Sequence, residues 1–465
     1  MVAESTKFSR RLIFTGAVWS LLTIGVAQVL RFITNVALAR LLAPELFGIM
    51  VIVNSVSTGI ALFSDIGIGQ NIVHNRDAEK PEFYNTAWSI NLGRSIFLWI
   101  ICTAIAAPIS NFYHIPILFP VFIVSALAFL LNGFTSIGLP LLQKRFQFVR
   151  VSILDISFAF FSTIVHIALA WISPTIWALV FAILAVAGAR MIVSYFIVPG
   201  LQHRLLISKK YTWQIIHFGK WIFVSTIVYF LATNLDRLYL GKVVPLELLG
   251  IYGIARTISD VLGAIIVRLG NYVVFPLIAA SADMAREQLR VRLRSYRLIF
   301  ILLAAFGLSI FASFADLLIA VLYDQRYQAA SWMLPILILG AWFSTMCSLN
   351  ESMLLGLGKP LYSAAGNFVK LVWLLVGLPF AYLRFGVAGA LVVVAVSDFW
   401  RYIPVLIGQI RERFSFGMQD LFATLSMFGF VGLWEWLRIS IGFSDSFGNL
   451  AHLLFTSWSM TTGPH

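Results

Sequence analysis

Long apolar blocks separated by short polar clusters run the whole length of the chain. They fall at about 12–39, 46–70, 84–107, 116–138, 152–172, 175–198, 217–240, 248–275, 297–322, 331–356, 362–383 and 386–408, each near the roughly 20 residues a helix needs to cross a bilayer. A thirteenth lies at about 421–439. The last, at about 447–459, is too short to cross unaided and leaves open a tilted or clipped fourteenth span. The opening run far exceeds the apolar core of a cleaved signal peptide, so it reads as an uncleaved first span. No polar stretch is long enough for a folded soluble domain.

A repeat organises these blocks. The segment 38-LARLLAPELFGIM-50 ends span one and starts span two, and 240-LGKVVPLELLGIY-252 ends span seven and starts span eight. At a constant offset of 202, Leu38, Arg40, Glu45 and Gly48 fall on Leu240, Lys242, Glu247 and Gly250. An even number of spans separates the copies, so the halves share an orientation, as parallel repeats about the membrane normal do. The expectation is an all-α polytopic membrane protein with two six-helix lobes related by a pseudo-two-fold along the membrane normal, plus one or two C-terminal helices. The divisions are 1–200, 201–410 and a C-terminal extension, 411–465.

Composition sharpens this. Of the 465 residues 60% are apolar and only 11% are charged, where soluble domains carry about a quarter charged. The net charge of +13 resembles that of a nucleic-acid binder as a bare number, but the basic residues lie between the apolar blocks. There they set topology, and no nucleic-acid partner is expected. Nineteen fall in the loops on the N-terminal side, against five (Arg40, Lys242, Arg326, Arg384 and Arg438) on the other. The N-terminus is therefore expected in the cytoplasm. The basic loops 141–150 and 286–297 read either as amphipathic segments on the anionic leaflet or as plain topology signals. The two cysteines, Cys102 and Cys347, lie inside apolar blocks, and the seven histidines show no ligand spacing. No disulfide, metal, cofactor or catalytic residue is expected.

Charges within spans cost about 2.5–3.5 kcal/mol each on insertion scales and mark cavities or partners. Arg190, Lys220, Arg268, Lys370 and Arg401 lie in cytoplasmic halves, where long stems reach the headgroups. Asp398 and Arg401 are also spaced to pair. Arg31 and Arg256 lie nine residues from the outer loop, roughly 13 Å deep at the helical rise. Gln28, Arg31 and Asn35 form a polar stripe on span one, and Asn54, Thr58 and Asp65 share a face of span two. Under the repeat, Asn54 maps to Arg256, Thr58 to Asp260 and Asn35 to Arg237. These faces predict a hydrated, net basic cavity, with Asp236 and Asp260 as partial counter-charges. Arginine keeps its proton and its fork matches phosphate oxygens, so the cavity suits an anion. Arg31, Arg256, Arg237 and, more weakly, Arg94 are the candidate contacts for a diphosphate. The alternative is that Arg256–Asp260 is a structural ion pair and that Gln28 and Asn35 hold Arg31. Asp65 and Glu351, with no obvious arginine partner, are candidates for coupling to an ion, H+ or Na+.

The segments 38–50, 63-FSDIGIG-69, 138-GLPLLQKRFQFVR-150, 235-LDRLYLGKVVPLELLGIYGIAR-256 and 354-LLGLGKP-360 resemble the polysaccharide transporters, Wzx-like flippases, of the multidrug/oligosaccharidyl-lipid/polysaccharide exporter superfamily. The resemblance covers about the first 410 residues. It implies two lobes, twelve or fourteen spans, a bacterial inner-membrane location and alternating access. The implied cargo is a polyprenyl-diphosphate-linked oligosaccharide, moved between leaflets for exopolysaccharide, O-antigen or capsule synthesis, beside a possible polymerase/export complex. The resemblance places Arg31 and Arg256 among the cationic cavity residues. The short final block departs from a full fourteen-span pattern. A drug or cation antiporter would need an acidic binding lobe, and a membrane glycosyltransferase or polymerase would need a sizeable outer loop. The chain shows neither.

Overall fold

A computed structural model describes residues 3–64, 67–198, 200–279 and 286–443; the side chains of 3–17, 20, 21, 74, 216–225 and 271–279 lie outside that description. Every described element is helical. The chain divides into two compact units, Met1–Ile227 and Val228–His465. The first holds α1 (Ala3–Leu41), α2 (Pro44–Phe63), α3 (Ile68–His74), α4 (Pro81–Tyr113), α5 (Leu118–Gly133), α6 (Gly138–Lys144), α7 (Phe148–Ile172) and α8 (Ile176–Ser194). Helix α9 (Lys209–Val243) runs from the first unit into the second. The second unit continues with α10 (Leu246–Ala279), α11 (Arg286–Ser313), α12 (Ala315–Leu322), α13 (Ala330–Gly356), α14 (Leu361–Arg411) and α15 (Gly417–Ile441). Nine of the described helices are long and apolar enough to cross a membrane, and the protein is a multi-pass membrane protein.

Several spans expected to be continuous are broken. Block 46–70 stops as α2 at Phe63, and α3 restarts behind Gly67 at φ 64°. Block 116–138 ends as α5, with α6 bent from it by 51°. Block 297–322 divides after Ser313. Hydropathy registers apolar length and cannot see where carbonyls leave the helical ladder. Blocks 362–383 and 386–408 are two helices, as expected, that follow one another within α14 across a kink at Gly386, whose φ 60°, ψ −148° is open essentially to glycine alone. Block 447–459 lies outside the described residues.

In the first unit, α4 buries Phe83, Tyr84, Ala87 and Trp88 in a core with Ile72, Leu141 and Tyr211. The same turns also carry polar side chains inward. Asn85 Oδ1 accepts from the Arg204 amide at 2.8 Å, Ser89 Oγ from Leu206 at 3.0 Å, and Thr86 Oγ1 from Ser208 at 3.2 Å. These bonds satisfy the amides of the irregular segment 201–208, which has no helical ladder of its own.

In the second unit, α15 packs along α11, and near each end a buried arginine meets an aspartate, Arg297 of α11 with Asp420 of α15 and Arg438 of α15 with Asp316 of α12. The Arg297 guanidinium also stacks 4.8 Å from the Phe416 ring. Arg438 forks onto Asp316 at 2.7 Å through both nitrogens. By sequence position both arginines belong with the topology-setting loop charges. They are buried tethers instead.

Candidate functional site

The repeat is visible in the backbone of each unit. Helix α1 ends at Leu41 and α2 starts at Pro44, while α9 ends at Val243 and α10 starts at Leu246. The closing bonds correspond as well: the Leu42 amide donates to Leu38 O at 2.8 Å, and the Val244 amide to Leu240 O at 2.9 Å. Proline interrupts each ladder, as Pro44 in one corner and Pro245 in the other, because it lacks an amide proton and disfavours helix before it.

In the second unit this corner carries a charged cluster. Arg237 donates to Asp260 at 2.9 Å. Arg256 lies 3.1 Å from the other oxygen of Asp260 and 4.0 Å from Asp236. Tyr252 donates its hydroxyl to Asp236. The Arg256 Nε contact is an ion pair by distance only, since its proton is not aligned on an acceptor. Asp236 is 4% exposed and Asp260 46%, so one carboxylate is locked in and the other faces open space. Of the two readings of Arg256–Asp260, ion pair or anion site, the geometry shows the pair, with Asp260 shared between two arginines.

Beside the cluster lies a cavity of about 280 Å³. Helix α10 lines it with Arg256, Asp260 and Arg268, α13 with Ser344 and Ser348, and α14 with Asp398. Small residues create the fit. A Cβ on Gly340 would stand 2.9 Å from the Ala395 Cα, so α13 approaches α14 as only glycine allows. Behind the cavity, Lys370 pairs with Asp398 at 2.8 Å, and Arg401 contacts Asp398 at 3.3 Å. Arg401 also pairs with Glu351, which accepts a further bond from Ser363. Glu351 therefore does not lack an arginine partner, and the premise that marked it for ion coupling fails: packing brings α14 against α13, 50 residues away in sequence. Lys370 and Arg401, expected to reach the headgroups, are buried within this network.

The first unit differs. Arg31 is exposed, Asn35 is half-buried and Gln28 is buried with its Oε1 unpaired. No hydrogen bond joins Arg31 to Gln28 or Asn35 among the described residues. Asn54 and Thr58 are exposed. Arg94 is engaged with backbone: Nε donates to Ser64 O at 2.8 Å and to Ser64 Oγ at 2.9 Å, and a terminal nitrogen donates to Ala61 O at 2.8 Å. It caps α2 by filling the carbonyls that a helix end leaves unpaired. The structure thus ties this diphosphate candidate to the α2–α3 break. Asp65 lies outside the described residues.

A family model described as "Polysaccharide biosynthesis protein" matches residues 37–332, more than half of the chain. The chain belongs to that family. The lipopolysaccharide biosynthesis protein WzxC of Escherichia coli (strain K12) is 26% identical over 288 residues, 60% of this chain and 56% of that protein's length. The putative O-antigen transporter of Shigella flexneri is 23% identical over 401 residues, covering 81% of this chain and 93% of that protein. Among solved structures, lipid II flippase MurJ in an inward closed conformation matches at TM-score 0.73 and 12% identity, covering 96% of this chain and 98% of MurJ. At that identity the likeness speaks for the fold, that of an all-helical membrane protein with two six-helix lobes. For this polysaccharide biosynthesis protein, sequence reasoning missed Tyr252 and the serines of α13. It also assigned Arg268 to the headgroups, where the structure lines a cavity with it. The usable signal was helical: Arg256, Asp260, Gly263, Ala264, Val267 and Arg268 recur along one side of α10, mostly at three- and four-residue steps.

Proposed function

We propose that this protein is a flippase that carries a polyprenyl-diphosphate-linked oligosaccharide from the cytoplasmic to the periplasmic leaflet, without covalent chemistry. The observation that carries this reading is the Arg237–Asp260–Arg256–Asp236 cluster opening onto a cavity within a membrane-spanning unit. A diphosphate must leave one headgroup layer and cross apolar surroundings, which requires fixed positive charge along its route. Arginine supplies charge that no accessible pH removes. The carboxylates give those arginines partners between cargoes, because a lone buried guanidinium is costly. An arriving diphosphate displaces Asp260, the exposed partner, and leaves Asp236 to orient Arg256 from behind. The lipid tail stays in the bilayer while the headgroup site opens alternately to each leaflet.

Support from relatives lies in their names, a lipopolysaccharide biosynthesis protein and an O-antigen transporter. Arg31, exposed in the first unit, is proposed as a second cationic contact of the cargo. The loop charges favour a cytoplasmic N-terminus in a bacterial inner membrane, where the cargo passes to a polymerase and export machinery. The test is reconstitution in proteoliposomes with a fluorescent lipid-linked diphosphate oligosaccharide, scoring the label protected from a membrane-impermeant quencher. Wild type equilibrates the label between leaflets, and R256A and R237A do not. Equal rates in wild type and empty liposomes would sink the proposal.

A further inference from the structure

Around the cavity of the second unit, the partnered charges cancel. Arg237 and Arg256 face Asp236 and Asp260, while Lys370 and Arg401 face Asp398 and Glu351. Arg268 stands outside this balance. It lines the same cavity and has no hydrogen bond or ion pair among the described residues. Opposite it on α13, Ser344 and Ser348 lie one helical turn apart, and neither hydroxyl has a partner among the described residues. A half-buried guanidinium and two unengaged hydroxyls converge on one apolar-backed space. Each of the three can donate a hydrogen bond, and none has a protein acceptor among the described residues.

Position adds a direction. Arg268 follows Arg256 by twelve residues, about 18 Å along the axis of α10. It lies toward the end of α10 that leads into the basic segment 286–297, the side that the loop charges assign to the cytoplasm. An anion reaching this cavity from that side meets Arg268 before Arg256. At Arg268 it displaces no carboxylate, whereas at Arg256 it must compete with Asp260.

We infer that Arg268, with Ser344 and Ser348, is the loading contact for the phosphate-bearing headgroup and sets a preference for diphosphate over monophosphate cargo. This rests on the proposed flippase reading and adds a residue and a selectivity to it. One phosphate satisfies Arg268 and the serines. A second supplies the charge and oxygens that draw Arg256 away from Asp260. A monophosphate satisfies the first contact only.

Binding to the purified full-length protein in detergent tests this, with farnesyl diphosphate and farnesyl monophosphate as probes, alongside melting temperatures of the ligand-free variants. Wild type is expected to prefer farnesyl diphosphate. R268Q should weaken its binding about tenfold or more, the worth of a charge-assisted hydrogen bond, and abolish the preference. S344A/S348A should weaken it less. Ligand-free R268Q should melt no lower than wild type, because it breaks no bond within the described protein. Unchanged binding in R268Q overturns the inference, and so does a lower melting temperature, which would make Arg268 a structural residue. If R256A loses binding while R268Q keeps it, only the loading role falls. If wild type shows no diphosphate preference, or if R256A and R268Q both bind normally, the proposed diphosphate site falls as well.

Discussion

Helix α1 breaks at Leu41 and resumes as α2 at Pro44; at the same spacing in the second half, α9 breaks at Val243 and α10 resumes at Leu246. The two corners share a backbone yet hold different chemistry. Where the second has Asp236, Arg237, Arg256 and Asp260, the first has Thr34, Asn35, Asn54 and Thr58. Four charges in one corner correspond to four neutral polar residues in the other. Thr34 uses its hydroxyl to bond Thr163 of α7 at 2.9 Å, a packing contact, whereas Asp236 lies 4.0 Å from Arg256 and accepts a hydrogen bond from Tyr252. The first corner's deep charge, Arg31, is exposed, and its counterpart in the second is Thr233. A repeat can thus preserve helix breaks while concentrating charge in one copy. Backbone geometry is set by proline and small residues; charge sits at positions that the breaks do not depend on.

The largest effect expected from disturbing this asymmetry is at Arg256. R256A should reduce flipping to background and also lower the melting temperature, because it leaves Asp236 buried beside fewer cations. Stranding a buried charge costs about 3–5 kcal/mol. The double variant R256A/D236N should regain stability but not transport, as read by thermal unfolding and the quenching assay together. Recovery of transport in the double variant would make the cluster purely structural. N54A, at the equivalent position of the first corner, should change neither readout much.

A smaller effect is expected at Arg31. R31A should slow flipping while leaving the melting temperature near wild type, since no bond within the described protein is lost. A marked loss of stability would show that Arg31 is structural after all, and would erase its contrast with Arg256. At Arg94 the pattern should reverse. R94A should destabilise the first unit by about 1.5–3 kcal/mol, the worth of charged hydrogen bonds, and speed amide exchange at the end of α2. R94K should not restore it, because an ammonium lacks the planar fork that reaches Ser64 and Ala61 together.

The smallest effect concerns a surface clamp of the second unit. Glu412 lies 3.0 Å from Lys359 and 2.6 Å from Arg286. Hydrogen bonds from Lys359 and Arg286 hold its carboxyl below the ordinary carboxylate range. A depressed carboxylate stabilises the fold above its unfolded-state value and loses that contribution as pH falls through its folded one. Melting temperature should therefore fall slightly more in wild type than in E412Q on acidification below the usual carboxylate range. Equal pH slopes would show that the clamp contributes nothing.

Most of the architecture was legible because a bilayer makes apolar length a direct readout of spans. The repeat was legible because matched basic, acidic and glycine residues recur around the break. The interruptions at Phe63, Gly133 and Ser313 were hidden, since each holds only a few polar residues and the apolar block resumes directly beyond it. Within the site, Arg256 and Asp260 stood out as residues four apart on one helix. The Arg401–Glu351 pair joins residues 50 apart in sequence, and Arg297–Asp420 joins residues 123 apart. No local spacing announces such pairs.

Sequence alone determined that this chain lives in a membrane, that it is built twice over, and that arginines sit deep within it. Each follows from solvation: water-avoiding stretches must be long, and a buried charge is too costly to be incidental. Tertiary packing decided which of those charges are spoken for. Arg94 went to helix-end carbonyls, Arg401 and Arg297 to distant carboxylates, and Arg268 to a cavity wall. An arginine's role depends on the acceptors within reach of its guanidinium, and long-range folding alone places them.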